Sequence, residues 1–169
     1  RFAALMDGAP VIESAGRSHP LELRYLGRGA SDARIEDSVA AAVRTALREA
    51  EGGVLAFLPG VAEIARTAER LENIAGPEIA LHQLHGSLDP AAQRAAIAPD
   101  PQGRRKVVLA TSIAETSLTL DGIRVVVDSG LARRPRYDRA AGMTRLVTER
   151  ASQASVTQRA GRAARQGPG

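Results

Sequence analysis

The sequence predicts an α/β fold: a mostly parallel sheet flanked by helices, with a protruding β-hairpin. Three observations carry this expectation. Unbroken apolar runs such as Val54-Leu55-Ala56-Phe57-Leu58 suit strands covered on both faces, as in a parallel sheet. Between these runs the apolar spacing becomes helical, as at Ile35, Val39, Ala42, Val43, Ala46 and Leu47. The repeated strand–helix–strand order then implies right-handed crossovers between parallel neighbours. A length of 169 residues fits a single core.

Taken in order, Pro10–Glu13 is a brief extended piece, and Leu21–Leu26 alternates apolar and polar residues as a half-buried strand does. Gly27, Gly29 and Ser31 mark a loop. A helix follows from an Asp32 cap to the Gly52-Gly53 stop. The strand at 54–58 turns at Pro59-Gly60 into a helical pattern over 61–74. Ile79–Leu84 is the next strand, and Asp89 caps a short helix whose first residue is Pro90. Lys106–Ala110 and Ile123–Asp128 complete a set of buried-type strands. Extended pieces near Ala132–Tyr137 and Met143–Val147 flank a Gly142-containing turn, which reads as a β-hairpin. A last helix is expected from near Ser155, containing Gln158 to Arg165.

Composition narrows the function. There is no cysteine, which removes disulfides, thiol nucleophiles and Cys-ligated zinc and fits a reducing, cytoplasmic setting. Three scattered histidines make no metal site, so no bound metal is expected from this chain. No apolar run reaches the ~20 residues needed to span a bilayer, and Asp7-Gly8 interrupts the N-terminal apolar stretch, so neither a membrane segment nor a signal peptide is expected. Residues 1–100 carry 10 basic and 14 acidic side chains, whereas residues 101–169 carry 13 basic and 5 acidic, a local net charge of +8. Such a basic third suits a polyanionic partner, nucleic acid or nucleotide phosphate. Of 23 basic residues only Lys106 is lysine, which also fits a compositional bias towards Arg and Ala. Aromatics are 2 %, so recognition by base stacking is not expected.

In such sheets the working residues lie on loops after the strand C-termini. Residues 111–119 carry five hydroxyls in nine positions directly after a buried strand. They could offer donors to phosphate oxygens, or simply cap a short helix. Gln158, Arg162 and Arg165 fall at i, i+4 and i+7, one helical face on which two forks and an amide could clamp a phosphoryl group. A solvated basic face is the plainer alternative. Arg159 points elsewhere on the same helix, and Gly161 would permit close approach of another backbone. His85-Gly86-Ser87-Leu88 is a weaker phosphate candidate that also fits a simple turn.

Together these segments resemble the DEAH/RHA helicases. Residues 54–64 resemble their motif IV, Leu84–Leu88 motif IVa, Ala110–Thr119 motif V, and Gln158–Arg165 with Gly167-Pro168-Gly169 motif VI. Ala9–Ser18 resembles the linker after motif III, and Arg145–Ser155 is similar to bacterial HrpB-type members. The order and spacing match the second RecA-like domain of these enzymes. The resemblance divides the chain into an inter-domain linker and first strand at 1–26 and the second RecA-like helicase domain at 27–169.

The resemblance implies one half of an ATP-dependent RNA helicase, with the first RecA-like domain outside this chain. Arg162 and Arg165 would be arginine fingers, and Gln158 would position the attacking water. Asp121 would touch the nucleotide ribose and Ser117 would sense the nucleotide state. Thr111, Ser112, Gly86 and Ser87 would hold the RNA backbone, and the hairpin, with Arg133, Arg134 and Arg136, would grip or part the strands. The implied cofactors are ATP and Mg, with the Mg ligands on the absent domain. No GxxxxGK[ST] loop and no Asp-Glu-Ala-His run occur here, so this piece alone is expected to be inactive. The implied partners are single-stranded RNA, or DNA, and the first RecA-like domain. Position 112 is Ser where the family usually has Asn, and position 164 is Ala where it usually has Gly. Ile97 stands about where many eukaryotic relatives place an adenine-stacking Phe, which implies weaker base stacking and looser nucleotide choice. A non-catalytic RNA-binding module, or the equivalent domain of a DNA helicase, remains as an alternative.

Overall fold

In the computed structural model of the chain the described residues are 22, 24, 26, 32–115 and 118–163. The extended pieces expected at 10–13 and 21–26, and the boundary at 26/27, fall largely or wholly outside them. Four parallel strands form the sheet: β1 (Gly53–Phe57), β2 (Ile79–Leu84), β3 (Arg105–Ala110) and β4 (Ile123–Asp128), in the order β2-β3-β1-β4. This is the RecA-like arrangement of a parallel sheet flanked by helices. β1 and β3 occupy the centre, and every residue of β1 is buried, as its unbroken apolar run requires.

Alternate residues of β1 face opposite layers. Val54 and Ala56 join Leu58, Val107 and Leu109 beneath α1 (Ile35–Glu49) and α2 (Val61–Leu71), where Val39, Val43, Ile64 and Leu71 complete one core. Leu55 and Phe57 join Val108, Ala110, Leu84, Ala96 and Ala114 in the other. α3 (Pro90–Ile97) covers that second face, with Ile97 partly buried against it. α4 (Gln153–Gly161) lies on the same side, where Ala160 and Ala163 meet Val126.

Several boundaries differ from expectation for local reasons. α1 begins at Ile35 behind Arg34, three residues after the expected Asp32 cap, and Glu36 and Asp37 supply negative charge in its first turn instead. The helical stretch at 61–74 tightens after Leu71 into a 3₁₀ turn at Glu72–Ile74. Asp89 does cap α3, accepting from the Ala92 N–H at 2.9 Å ahead of Pro90 at the first position. At the far end of α3 the buried Lys106 ammonium donates to the Ala96 carbonyl and, at 2.6 Å, to that of Ala98. Burial pushes its pKa below the usual lysine value, against the pull of Asp100 and Asp121.

The hairpin is longer than expected. β5 (Leu131–Asp138) and β6 (Met143–Arg150) pair antiparallel from Leu131↔Arg150 to Asp138↔Met143. Gly142, at φ 63°, turns the chain in a conformation L side chains rarely adopt. The Asp138 carboxylate accepts from the Ala140 and Ala141 N–H groups and so closes the turn.

Candidate nucleotide and nucleic-acid site

The loops leaving the four strand ends gather at one edge of the sheet. Backbone bonds stitch them side by side: the Leu58 N–H donates to Ala110 O at 2.8 Å, Thr111 to Leu84 O at 3.2 Å and Ser129 to Phe57 O at 3.1 Å. Gly86 and Ser87 are exposed in the loop after β2. Thr111 is half-buried and Ser112 exposed at the start of the loop after β3, where Ser112–Ala114 make a 3₁₀ turn. Asp121 is exposed at the end of that loop. Ser117 and Arg165 lie outside the described residues.

The helix that carries the basic segment is placed differently from expectation. Ser152 caps it, accepting from the Ser155 N–H at 3.1 Å, and it ends at Gly161. Arg162 is therefore its C-terminal cap, not a member of a continuing face with Gln158. Gln158 is exposed, while Arg162 is buried. The Arg162 Nε donates to Glu115 O at 2.8 Å, and its Nη1 donates to Leu118 O. Among the described residues nothing lies within 4 Å of a Cβ built on Gly161, so the space there is open.

Arg159 departs further from expectation. It is wholly buried, and with Arg162 also buried neither of these two arginines lies on a solvated basic face. Its Nε donates to Glu115 at 2.8 Å and its Nη1 to Asp128 at 2.8 Å and to Leu131 O at 3.1 Å. Its guanidinium also stacks 5.0 Å from the centre of the Phe57 ring. The Asp128 oxygen that takes this bond also accepts from the Gly130 N–H at 2.8 Å, fixing the turn into the hairpin. One side chain thus joins the hydroxyl-rich loop, the end of β4, the root of β5 and α4. A fork with donors on three nitrogens can hold several acceptors at fixed angles, which lysine cannot.

Sequence reading missed Glu115, Asp128 and the central role of Arg159. A signal was available. The basic third has only five acidic residues, and four of them hold arginines: Glu115 and Asp128 hold Arg159, Asp138 meets Arg145, and Glu149 meets Arg134 and Arg136.

Arg133, Arg134 and Arg136, the hairpin arginines expected to meet nucleic acid, are all engaged with acidic side chains. Arg133 pairs with Glu63 of α2 at 3.1 Å. Arg134 approaches Glu149 at 3.4 Å and Arg136 binds it through bonds of 2.8 to 3.2 Å. Tyr137, Met143 and Leu146 stay exposed towards the tip. Among the described residues, no helix is long and apolar enough to cross a membrane, and no cluster of His, Asp or Glu could hold a metal ion.

This layout has known counterparts. The family described as the helicase conserved C-terminal domain matches residues 37–167. The chain belongs to that family. This helicase domain is 53 % identical over 169 residues to the ATP-dependent RNA helicase HrpB of Escherichia coli, covering all of this chain and 21 % of that protein. It is 37 % identical over 175 residues to the pre-mRNA-splicing factor ATP-dependent RNA helicase prp22 of Schizosaccharomyces pombe, again over the whole chain but 15 % of the relative. A crystal structure of the E. coli DEAH/RHA helicase HrpB superposes with a TM-score of 0.84 at 54 % identity, covering 95 % of this chain and 20 % of that one. The helicase domain thus spans only 21 % and 15 % of the length of these two relatives.

Proposed function

We propose that the chain is the second RecA-like half of an ATP-dependent RNA helicase, and that it supplies arginine fingers for hydrolysis and part of the grip on the RNA backbone. The observation that carries this reading is the joining of the loop after β3 to the arginine segment. Glu115 accepts from Arg159 through its side chain and from Arg162 through its carbonyl, both at 2.8 Å. A contact made by Thr111 or Ser112 on an RNA phosphate is therefore four residues or fewer from the anchor of Arg162. The 53 % identity of the whole chain to an ATP-dependent RNA helicase, over 21 % of that protein's length, supports the same reading.

In this proposal ATP and Mg lie between this domain and a first RecA-like domain, which holds the metal ligands. Asp121 meets the ribose and Ser117 senses the nucleotide. Arg162 now donates to neutral carbonyls. A phosphoryl oxygen is the stronger acceptor for a guanidinium, so an incoming nucleotide draws it over. Arg165 joins it there and Gln158, already exposed, orders the water. Gly86, Ser87, Thr111 and Ser112 hold the RNA backbone, assisted by Arg134 and Arg136 of the hairpin. Single-stranded RNA is the substrate and the setting is the cytoplasm. The test is ATP hydrolysis by the full-length parent with no nucleic acid, with single-stranded RNA and with single-stranded DNA. Stimulation by RNA supports the proposal. Stimulation by DNA alone assigns a DNA helicase, and RNA binding without hydrolysis assigns a binding module.

A further inference from the structure

We propose that Arg133 and Glu63 form a latch that sets the angle of the hairpin on the domain, and that position 60 is glycine so that the latch can close. Arg133 Nη2 donates to both carboxylate oxygens of Glu63, at 3.1 and 3.4 Å. Glu63 stands in the first turn of α2 with its side chain only 13 % exposed. The pair is seated over Gly60. A Cβ there would stand 2.7 Å from Arg133 Cζ and 2.8 Å from Glu63 Oε2. Gly60 has φ −163°, an extended backbone that any residue adopts, so its conformation gives no reason for glycine. The space beneath the ion pair does.

The latch is braced from behind. Arg66 lies 3.7 Å from the same Glu63 carboxylate and donates to Glu36 of α1 at 2.7 Å. One carboxylate thus ties the hairpin to both helices on that face. On its other side the root of β5 is held by the Arg159 bond to Leu131 O. Beyond Arg133 the strand runs five residues to Asp138, about 17 Å at ~3.4 Å per residue. A tilt of about 10° at the root then moves the tip by about 3 Å, far more than a phosphate hydrogen bond tolerates. Arg133 is on this account a positioning residue whose partner is protein, while Arg134 and Arg136 face the nucleic acid.

The inference rests on the helicase reading but concerns how force reaches the hairpin, not whether the motor turns. The experiment uses the full-length parent and two readouts. The first is base pairs unwound per ATP hydrolysed. Gly60→Ala pushes the two flexible side-chain ends apart without changing any charge, and it should lower this ratio about threefold, within the effect of one half-exposed ion pair, with RNA-free ATP turnover unchanged. Arg133→Glu and Glu63→Arg should each lower it similarly, and the double swap should restore it. The second readout is amide hydrogen exchange, which needs no turnover. In Gly60→Ala the amides of β5 and β6 should exchange about threefold faster, with those of β1 to β4 unaltered. Arg133→Glu that stays defective when Glu63→Arg is added would overturn the latch and return Arg133 to the nucleic acid. Hairpin exchange in Gly60→Ala equal to wild type would overturn it as well, whatever the parent hydrolyses.

Discussion

Replacing Arg159 by Ala should damage the fold more than any other single arginine change in the described structure. The side chain is fully buried and holds Glu115 and Asp128 at 2.8 Å each. Removing it leaves two carboxylates facing one pocket with no cation between them. Breaking a buried pair in this way costs about 3–5 kcal/mol, because the remaining charge is left without compensation. At about 2–4 °C per kcal/mol for a domain of this size, the melting temperature should fall by about 6–20 °C. Thermal unfolding followed by circular dichroism reads this directly. Arg136→Ala is the comparison, since Arg136 makes three bonds to Glu149 yet is 64 % exposed, and an exposed pair contributes about 0–1 kcal/mol. Adding Glu115→Gln and Asp128→Asn to Arg159→Ala should recover part of the loss, because the orphaned charges go with them. A melting temperature for Arg159→Ala within about 2 °C of wild type, or no lower than that of Arg136→Ala, would refute the reasoning.

Three further outcomes follow from particular contacts. The Arg104 side chain and the backbone N–H groups of Arg104 and Gln102 bond Asp100 and hold its carboxyl at about 2, below the ordinary 3.8. A depressed carboxyl stabilises the fold above its unfolded pKa and loses that contribution as pH falls through its folded one. The melting-temperature gap between wild type and Asp100→Asn should therefore be full at pH 7 and close between pH 4 and pH 2. Gly52 has φ 82°, and a Cβ there would stand 2.3 Å from Arg124 Cγ. Gly52→Ala should cost at least about 1–2 kcal/mol in urea unfolding, with the slope unchanged. Glu149→Gln releases Arg134 and Arg136, so RNA binding should tighten and its log–log salt slope should steepen by about 0.7 for each new phosphate contact.

The strands were legible because a parallel sheet buries both faces, and that demand writes itself into sequence as unbroken apolar runs. β2 and β4 were placed to the residue, and Asp89-Pro90 announced α3. Helix ends were less legible. Arg34 carries no side-chain acceptor, so nothing local marks it as the start of α1. Periodicity carried the basic segment as one face from Gln158 to Arg165, but it assumes that the helix continues. Here it stops at Gly161, and Arg162 turns inward to carbonyls of a loop 44 and 47 residues earlier. Arg159 was hidden for a related reason. An arginine reads as solvent-facing until its acids are known, and Glu115 and Asp128 reach it only through the tertiary fold. The hairpin showed the same limit: its strands were visible in the sequence, whereas the partner of Arg133 lies 70 residues away.

The central claim, that this domain lends arginines to a nucleotide held by another domain, is tested most directly by steady-state ATP turnover in three samples measured with saturating single-stranded RNA: the wild-type parent, its Arg162→Ala variant and the pure 169-residue chain. Arginine fingers contribute roughly 10³–10⁵ in rate. Arg162→Ala should cut turnover of the parent by about two orders of magnitude or more while changing RNA affinity little, and the isolated chain should show none. Full turnover by Arg162→Ala, or RNA-stimulated turnover by the isolated chain, would contradict the account.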